Sequence, residues 1–303
     1  MRKTTAAVVA AATALSLTAC GQGEQGQEVT LALSTQTNPF FVQVRDGARD
    51  RAEELGVNLN VQDAGDDALQ QANQMLNSIA MDAGAVIVNP VDSDAVGNSV
   101  EALNQADIPV IAVDRTANAG ELTSFVASDN ISGGKQAADA LAAAIGGEGK
   151  VIMLQGIVGS SSSRDRGQGF RDQIATYPGI EVVAEQTAGF DRTEGLDVAT
   201  NLLQANPDVV GIFAENDEMA LGAIEAVGAR AGDEVAIVGF DGTLEGLAAV
   251  EAGTMNATIA QQPRELGAQA VEQAALLLED KDVAGVVPVS VITVTEENVG
   301  EYL

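Results

Sequence analysis

Asn38, Asp114, Arg115, Arg164, Asn216, Asp241 and Gln261 are the residues of this chain whose chemistry converges on one kind of ligand. Amides, carboxylates and guanidinia carry paired donors and acceptors in fixed planar geometry, and that pairing matches adjacent hydroxyls on a polyol ring. Most of them stand where a short apolar run stops. Ser34 follows Leu33, with Asn38-Pro39-Phe40-Phe41 just beyond; Asn89 follows Val88; Asp114-Arg115 follow Val113. Glu215-Asn216 come just after Phe213, Gly239-Phe240-Asp241 follow Val238, and Gln261 follows Ala260, while two further loops contribute Arg164 and Phe190. The chain has seven Phe and no Trp, yet Phe40, Phe41, Phe190 and Phe240 all fall in these segments. Aromatic faces suit the C–H surfaces of a sugar ring.

Each residue also has a purely structural reading. Asn38 before Pro39 suits a helix N-cap, and Asn216 and Asp241 could cap the helices that follow them. Asp114-Arg115 could be a local ion pair, one of Phe40 and Phe41 could be core, and Arg164 beside Asp165-Arg166 could be a solvated charge cluster. The set points to a ligand because independent structural roles would not place hydroxyl-complementary groups at the end of one run after another.

The runs themselves define the frame. Leu31–Leu33, Val86–Val88, Val110–Val113, Val151–Leu154, Val209–Phe213 and Val235–Val238 are uninterrupted and rich in β-branched residues, as strands buried on both faces of a parallel sheet must be. Thr258–Ala260 is strand-like, and so is Val286–Val294 with Pro288 inside it. Helical patterns lie between them: Leu69, Ala72, Leu76 and Ile79 share one face, and Pro263 opens a helix with Leu266, Ala270, Leu277 and Leu278 on its buried side. Alternation of strand and helix predicts a doubly wound α/β architecture. The pattern restarts near Gly149, after Gly146-Gly147, so one lobe begins at Val29 and the other near Asp129. In open parallel sheets ligands bind beyond the carboxyl ends of the strands, which is where the polar set falls.

Composition narrows the function. With 44 acidic residues against 15 basic ones and a formal net charge of −29, the surface repels nucleic acid. The absence of histidine and a single cysteine exclude the usual zinc sites and His-based catalysis, so no metal and no cofactor is expected. A glycosidase using Asp114 and Asp241 as its carboxylate pair is the enzyme alternative. Residues 1–20 read as a lipoprotein signal: Arg2-Lys3, an apolar stretch from Ala6 to Leu17, then Leu17-Thr18-Ala19-Cys20-Gly21, which resembles a lipobox. Cys20, the only cysteine, is the expected lipidation site and membrane tether. Gly21–Gly26 matches the dinucleotide pattern G-x-G-x-x-G, but it precedes the first strand instead of joining a strand to a helix, so residues 21–28 read as a spacer.

With these residues assembled, the chain resembles the type I periplasmic-binding-protein-like family, and within it the ribose-binding proteins. The resemblance runs from Val29 to the C-terminus and is carried by Ser34-Thr35 with Asn38–Phe41, Asn89–Val96, Val113–Arg115, Ala127–Asn130, Asn216–Ala220 and Val238–Gly242. It implies two doubly wound parallel-sheet lobes joined by three hinge crossovers near Ser128-Asp129, Gln261-Gln262 and Ser290-Val291. The lobes would be residues 29–128 plus 262–290 and residues 129–261 plus 291–303, in place of two consecutive blocks. It further implies that Asn38, Asp114, Arg115, Arg164, Asn216, Asp241 and Gln261 hydrogen-bond a monosaccharide, D-ribose or a relative such as allose, xylose or galactose. Phe40, Phe41 and Phe190 would sandwich the ring, with Ser34 and Asn89 close by. The run Ser160–Ser163 before Arg164 departs from the family pattern. The implied role is the solute-binding part of an ABC importer: a monomer outside the cell membrane that meets a permease and, through it, an ATPase. Presentation of bound sugar to a membrane sensor is the alternative.

Overall fold

Segments whose side chains are apolar on both faces become the interior strands of two sheets. The computed structural model describes residues 28–303, so the expected signal, Cys20 and all but the last residue of the expected spacer lie outside the described residues. The chain runs β1 (Val29–Leu33), α1 (Pro39–Leu55), β2 (Leu59–Asp63), α2 (Ala68–Ala80), β3 (Ala85–Val88), α3 (Gly97–Gln105), β4 (Val110–Val113), β5 (Ser124–Ser128), α4 (Asn130–Ala144) and β6 (Glu148–Gln155). It continues through α5 (Ser161–Ile174), β7 (Gly179–Thr187), α6 (Arg192–Ala205), β8 (Val209–Ala214), α7 (Asp217–Val227), β9 (Ala236–Asp241), α8 (Leu244–Glu251), β10 (Ala257–Ala260), α9 (Pro263–Leu278), β11 (Val286–Val289) and β12 (Ile292–Thr295).

One sheet has the order β11-β5-β4-β3-β1-β2 and the other β12-β10-β9-β8-β6-β7. Every pairing is parallel except that of β12 with β10. The path moves between sheets after β5, after β10 and between β11 and β12. Val286–Val294 is therefore two strands in two sheets. The break falls at Ser290-Val291, and Pro288 sits inside β11, an edge strand where the missing N–H costs no ladder bond.

β1, β3 and β4 are fully buried, as their composition requires. Apolar runs did not reveal β2 and β7, which lie on the outer edges of the sheets and carry half-exposed polar residues. β5 is framed by Ser124 and Ser128, which hid its Phe-Val-Ala centre.

Helix α1 starts as its sequence dictates: Asn38 Oδ1 accepts from Phe40 N at 2.9 Å, Pro39 takes the first turn, and Gly56 ends the helix in the left-handed conformation. Helix α2 turns differently from its hydropathy pattern. Leu69 and Leu76 are exposed, and Gln71, Met75 and Ser78 are buried. Gln71 goes inside because its amide serves backbone groups at the strand ends, donating to Asn89 O at 2.8 Å and accepting from Val91 N at 2.9 Å. In the second lobe, α4 and α5 touch through glycine: a Cβ on Gly134 would stand 2.1 Å from Arg166 O. That close approach anchors the α5 backbone at Arg166.

Candidate functional site

The loops at the carboxyl ends of both sheets face each other, and they are in contact along one side. Ser93 N donates to Gly159 O at 3.1 Å, Ser161 N to Ser93 Oγ at 3.3 Å, and Thr116 N to Ser161 Oγ at 2.9 Å. Between the lobes lies a cavity of about 220 Å³, part of it open to solvent.

Eight of the twelve sequence-derived ligand residues line it: Asn38, Phe40, Phe41, Asp114 and Arg115 from the first lobe, and Phe190, Asn216 and Asp241 from the second. Three others stand behind the wall. Asn89 is fully buried, accepts from Ser34 Oγ at 2.7 Å, and donates from Nδ2 to Val113 O at 3.2 Å and Asp114 Oδ2 at 3.4 Å. Ser34 and Asn89 therefore brace Asp114 from behind the cavity. Gln261 does the same for Asp241, donating to its Oδ1 at 2.7 Å.

Arg164 is a correction. Its side chain is 54% exposed and pairs with Asp165 at 3.1 Å, away from the cavity. The arginine that α5 contributes to the cavity is Arg166, two residues on, because two residues along a helix turn the side chain to the opposite face. Ser162, one turn before Arg166, lines the cavity with it. Sequence reasoning missed both, although the i, i+4 spacing of Ser162 and Arg166 inside a helix that starts after β6 was a usable signal. Arg166 is 3% exposed; Nε donates to Asn130 Oδ1 at 2.9 Å and Nη1 to Glu215 O at 2.8 Å. Its guanidinium lies 3.9 Å from the centroid of Phe240, which is core within β9 and not a loop aromatic.

Two of the three capping roles hold and are compatible with the site. Asn38 caps α1 and Asn216 caps α7, Oδ1 of Asn216 accepting from Met219 N at 2.9 Å. In each case the cap uses the side-chain oxygen. Asp241 caps nothing; Thr243 caps α8.

The electrostatics are those of a desolvated cluster of two cations and two anions. Arg115 Nε stands 3.6 Å from Asp114 Oδ2, and Arg166 Nη1 stands 3.6 Å from Asp241 Oδ1, both too long for good hydrogen bonds. Asp114 Oδ1 and Arg115 Nε are buried without a hydrogen-bond partner. Such orphaned groups are expensive in a core and make sense where a ligand's hydroxyls complete them. Burial pushes the Asp114 carboxyl up, against the pull of Arg115, and lowers the Arg115 guanidinium against that of Asp114. Burial also raises Asp241 well above the usual carboxylate range; Arg166 opposes this and Asp217 adds to it.

The aromatic slot is formed by Phe41 and Phe190, with the Arg115 guanidinium 5.1 Å and 5.4 Å from their centroids. Phe40 meets Phe41 edge-on at 5.2 Å. Phe190 has φ 60°, Asp114 has φ 64° and Asp241 has φ 122°. Asp tolerates the left-handed region, but an aromatic residue there is strained, and such strain gathers at ligand sites. Phe190 is held by Asn216 Nδ2, which donates to its carbonyl at 3.3 Å. The strand-end loop that carries Asp241 is held by Asp217, which accepts from Thr243 N at 2.8 Å and from Thr258 Oγ1 at 2.7 Å.

A family model described as periplasmic binding protein domain matches residues 29–282. The chain belongs to the periplasmic binding protein family. It is 44% identical to the ribose import binding protein RbsB of Escherichia coli over 96% of this chain and 98% of that one. To the ribose import binding protein RbsB of Bacillus subtilis it is 41% identical over 84% and 83%. Among solved structures it is similar to the Caulobacter myo-inositol binding protein bound to myo-inositol, with a TM-score of 0.87, 32% identity and coverage of 92% and 96%. It is also similar to an Agrobacterium radiobacter carbohydrate transporter solute binding protein in complex with D-arabinose, with a TM-score of 0.88, 30% identity and coverage of 92% and 97%. As a periplasmic binding protein this chain holds a solute and does not turn it over. Among the described residues no helix is long and apolar enough to cross a membrane.

Proposed function

We propose that this periplasmic binding protein is the solute-binding component of an ABC sugar importer and captures D-ribose between its lobes by hinge closure. The observation that carries the reading is the cavity wall, with Asp114-Arg115 contributed by one lobe and Arg166, Asn216 and Asp241 by the other. A polyol that bonds both pairs at once favours the closed arrangement over any open one, and a ligand shifts such an equilibrium only by that difference in affinity. The import proteins named for ribose, at 41–44% identity, support ribose over the other small polyols named for the solved structures.

Thermal denaturation in the presence of D-ribose, D-allose, D-xylose, D-galactose, D-arabinose and myo-inositol tests this. Ribose is expected to stabilise most, by about 2.7 kcal/mol at a hundredfold excess over Kd. Greater stabilisation by another polyol would overturn ribose, and no stabilisation by any would overturn the cleft as a sugar site. In the same reading the protein works as a monomer tethered through a diacylglycerol on Cys20, which lies outside the described residues. A Cys20→Ser chain recovered from the medium instead of the membrane fraction supports the tether, and one retained in the membrane fraction excludes it.

A further inference from the structure

Strand β8 lies between β6 and β9, and Glu215-Asn216-Asp217 lead from its end into α7. Asn216 faces the cavity, and the carboxylates on either side of it reach in opposite directions along the sheet. Asp217 serves the loop after β9, as described above. Glu215 is 1% exposed and serves the loop after β6: its Oε2 accepts from Gly156 N at 2.7 Å and from Ser163 Oγ. Gly156 is the floor beneath Phe190, for a Cβ there would stand 2.0 Å from a ring carbon of Phe190. Ser163 lies in the first turn of α5, beside Ser162 of the cavity wall.

Glu215 forms no ion pair among the described residues, although Arg166 and Arg171 lie near enough to favour its charge. Burial pushes its carboxyl up to about 7, against the bonds from Ser163 and Gly156. Burying an acid in this way is costly, and two neutral donors recover only part of that cost. A core position with no task beyond packing would be better served by an apolar side chain of the same volume.

We propose that Glu215 is a positioning residue for sugar binding, which fixes Gly156 and the start of α5 so that Phe190 presents its face to the ligand. It touches no ligand itself; its effect passes through Phe190. The inference rests on the reading that Phe190 stacks on the bound sugar.

A double-mutant cycle read by titration calorimetry with D-ribose separates the two. Glu215→Met keeps the volume and removes the acceptor, leaving Gly156 N–H and Ser163 O–H without their partner, so affinity is expected to fall about tenfold. Glu215→Gln keeps an acceptor oxygen and is expected to stay within about threefold of the parent. In a Phe190→Ala background the Glu215→Met change is expected to cost less than twofold, because residues that act through one another are not additive. A full tenfold loss in that background overturns the proposal. If Phe190→Ala alone leaves ribose affinity unchanged, the stacking reading itself falls. Should Glu215→Met not fold, Ser163→Ala run through the same cycle gives the same two outcomes.

Discussion

Arg166→Ala is expected to weaken ribose binding at least a hundredfold, while Arg164→Ala stays within about twofold of the parent protein. The two residues are neighbours in sequence and opposites in environment. Arg164 is half exposed and paired only to its neighbour Asp165, so its loss removes a surface ion pair of the kind worth about 0–1 kcal/mol. Arg166 is buried on the cavity wall, stacked on Phe240, and the nearest cation to Asp241. Removing it leaves Asp241 as a buried anion without its counter-charge and strips Asn130 Oδ1 and Glu215 O of a donor. Breaking one partner of a buried pair costs about 3–5 kcal/mol, and a hundredfold in affinity is about 2.7 kcal/mol. Arg166→Lys retains charge but not the planar fork that reaches Asn130 and Glu215 together, so it is expected to recover only part of the affinity. Titration calorimetry on the three variants, each shown to unfold cooperatively, checks the ranking. Loss of binding in Arg164→Ala with normal binding in Arg166→Ala would reverse the assignment.

The contrast between these arginines shows what the sequence can carry. Strand ends were legible because buried parallel strands leave unbroken apolar runs, and the residue after each run is then marked by position alone. Asn38, Asp114, Arg115, Asn216 and Asp241 were found in this way. Arg164 and Arg166 sit inside a helix, where position along the chain does not tell which way a side chain turns until the helix start is known. α5 starts at Ser161, within a serine run that gives no apolar periodicity to set its phase. The same limit applies to α2, where Leu69, Ala72, Leu76 and Ile79 suggested an inward face and Gln71, Met75 and Ser78 supply it. A buried glutamine that satisfies strand-end carbonyls is invisible to hydropathy. The edge strands β2 and β7 were missed for a related reason: a strand with one free edge need not be apolar. Glu215 stands beside Asn216 just after an apolar run, but only the fold shows that it is buried and which groups it accepts from.

Asp241→Ala is expected to abolish high-affinity ribose binding while the protein stays folded. Asp241 enters the cavity wall from the end of β9 in a backbone conformation, φ 122°, that an L-residue rarely takes, and the bonds of Asp217 to Thr243 and Thr258 hold that loop in place. Alanine removes the acceptor but leaves the bonds of Asp217 in place. Because it also leaves Arg166 buried without its anionic neighbour, at a positive φ that alanine tolerates less well than aspartate, stability is expected to fall without loss of the fold. Binding pays fully. Arg166 loses its anionic neighbour, Gln261 Nε2 loses its acceptor, and a ligand hydroxyl loses a charged acceptor worth more than a neutral one. The pH dependence gives an independent check. In the free protein burial raises the Asp241 carboxyl well above the usual range, and hydroxyls that donate to the ionised form on binding lower it again. The bound state thus holds fewer protons than the free state, so affinity is flat above the free-state pKa and falls as pH drops through it. Asp241→Asn cannot titrate at this position, so its remaining affinity is expected to vary less with pH than that of the parent. Near-normal ribose affinity in a folded Asp241→Ala protein would remove Asp241 from the site. An Asn variant with the parent's full pH profile would instead assign the titration to another group, of which Asp114, raised by the same burial, is the next to replace.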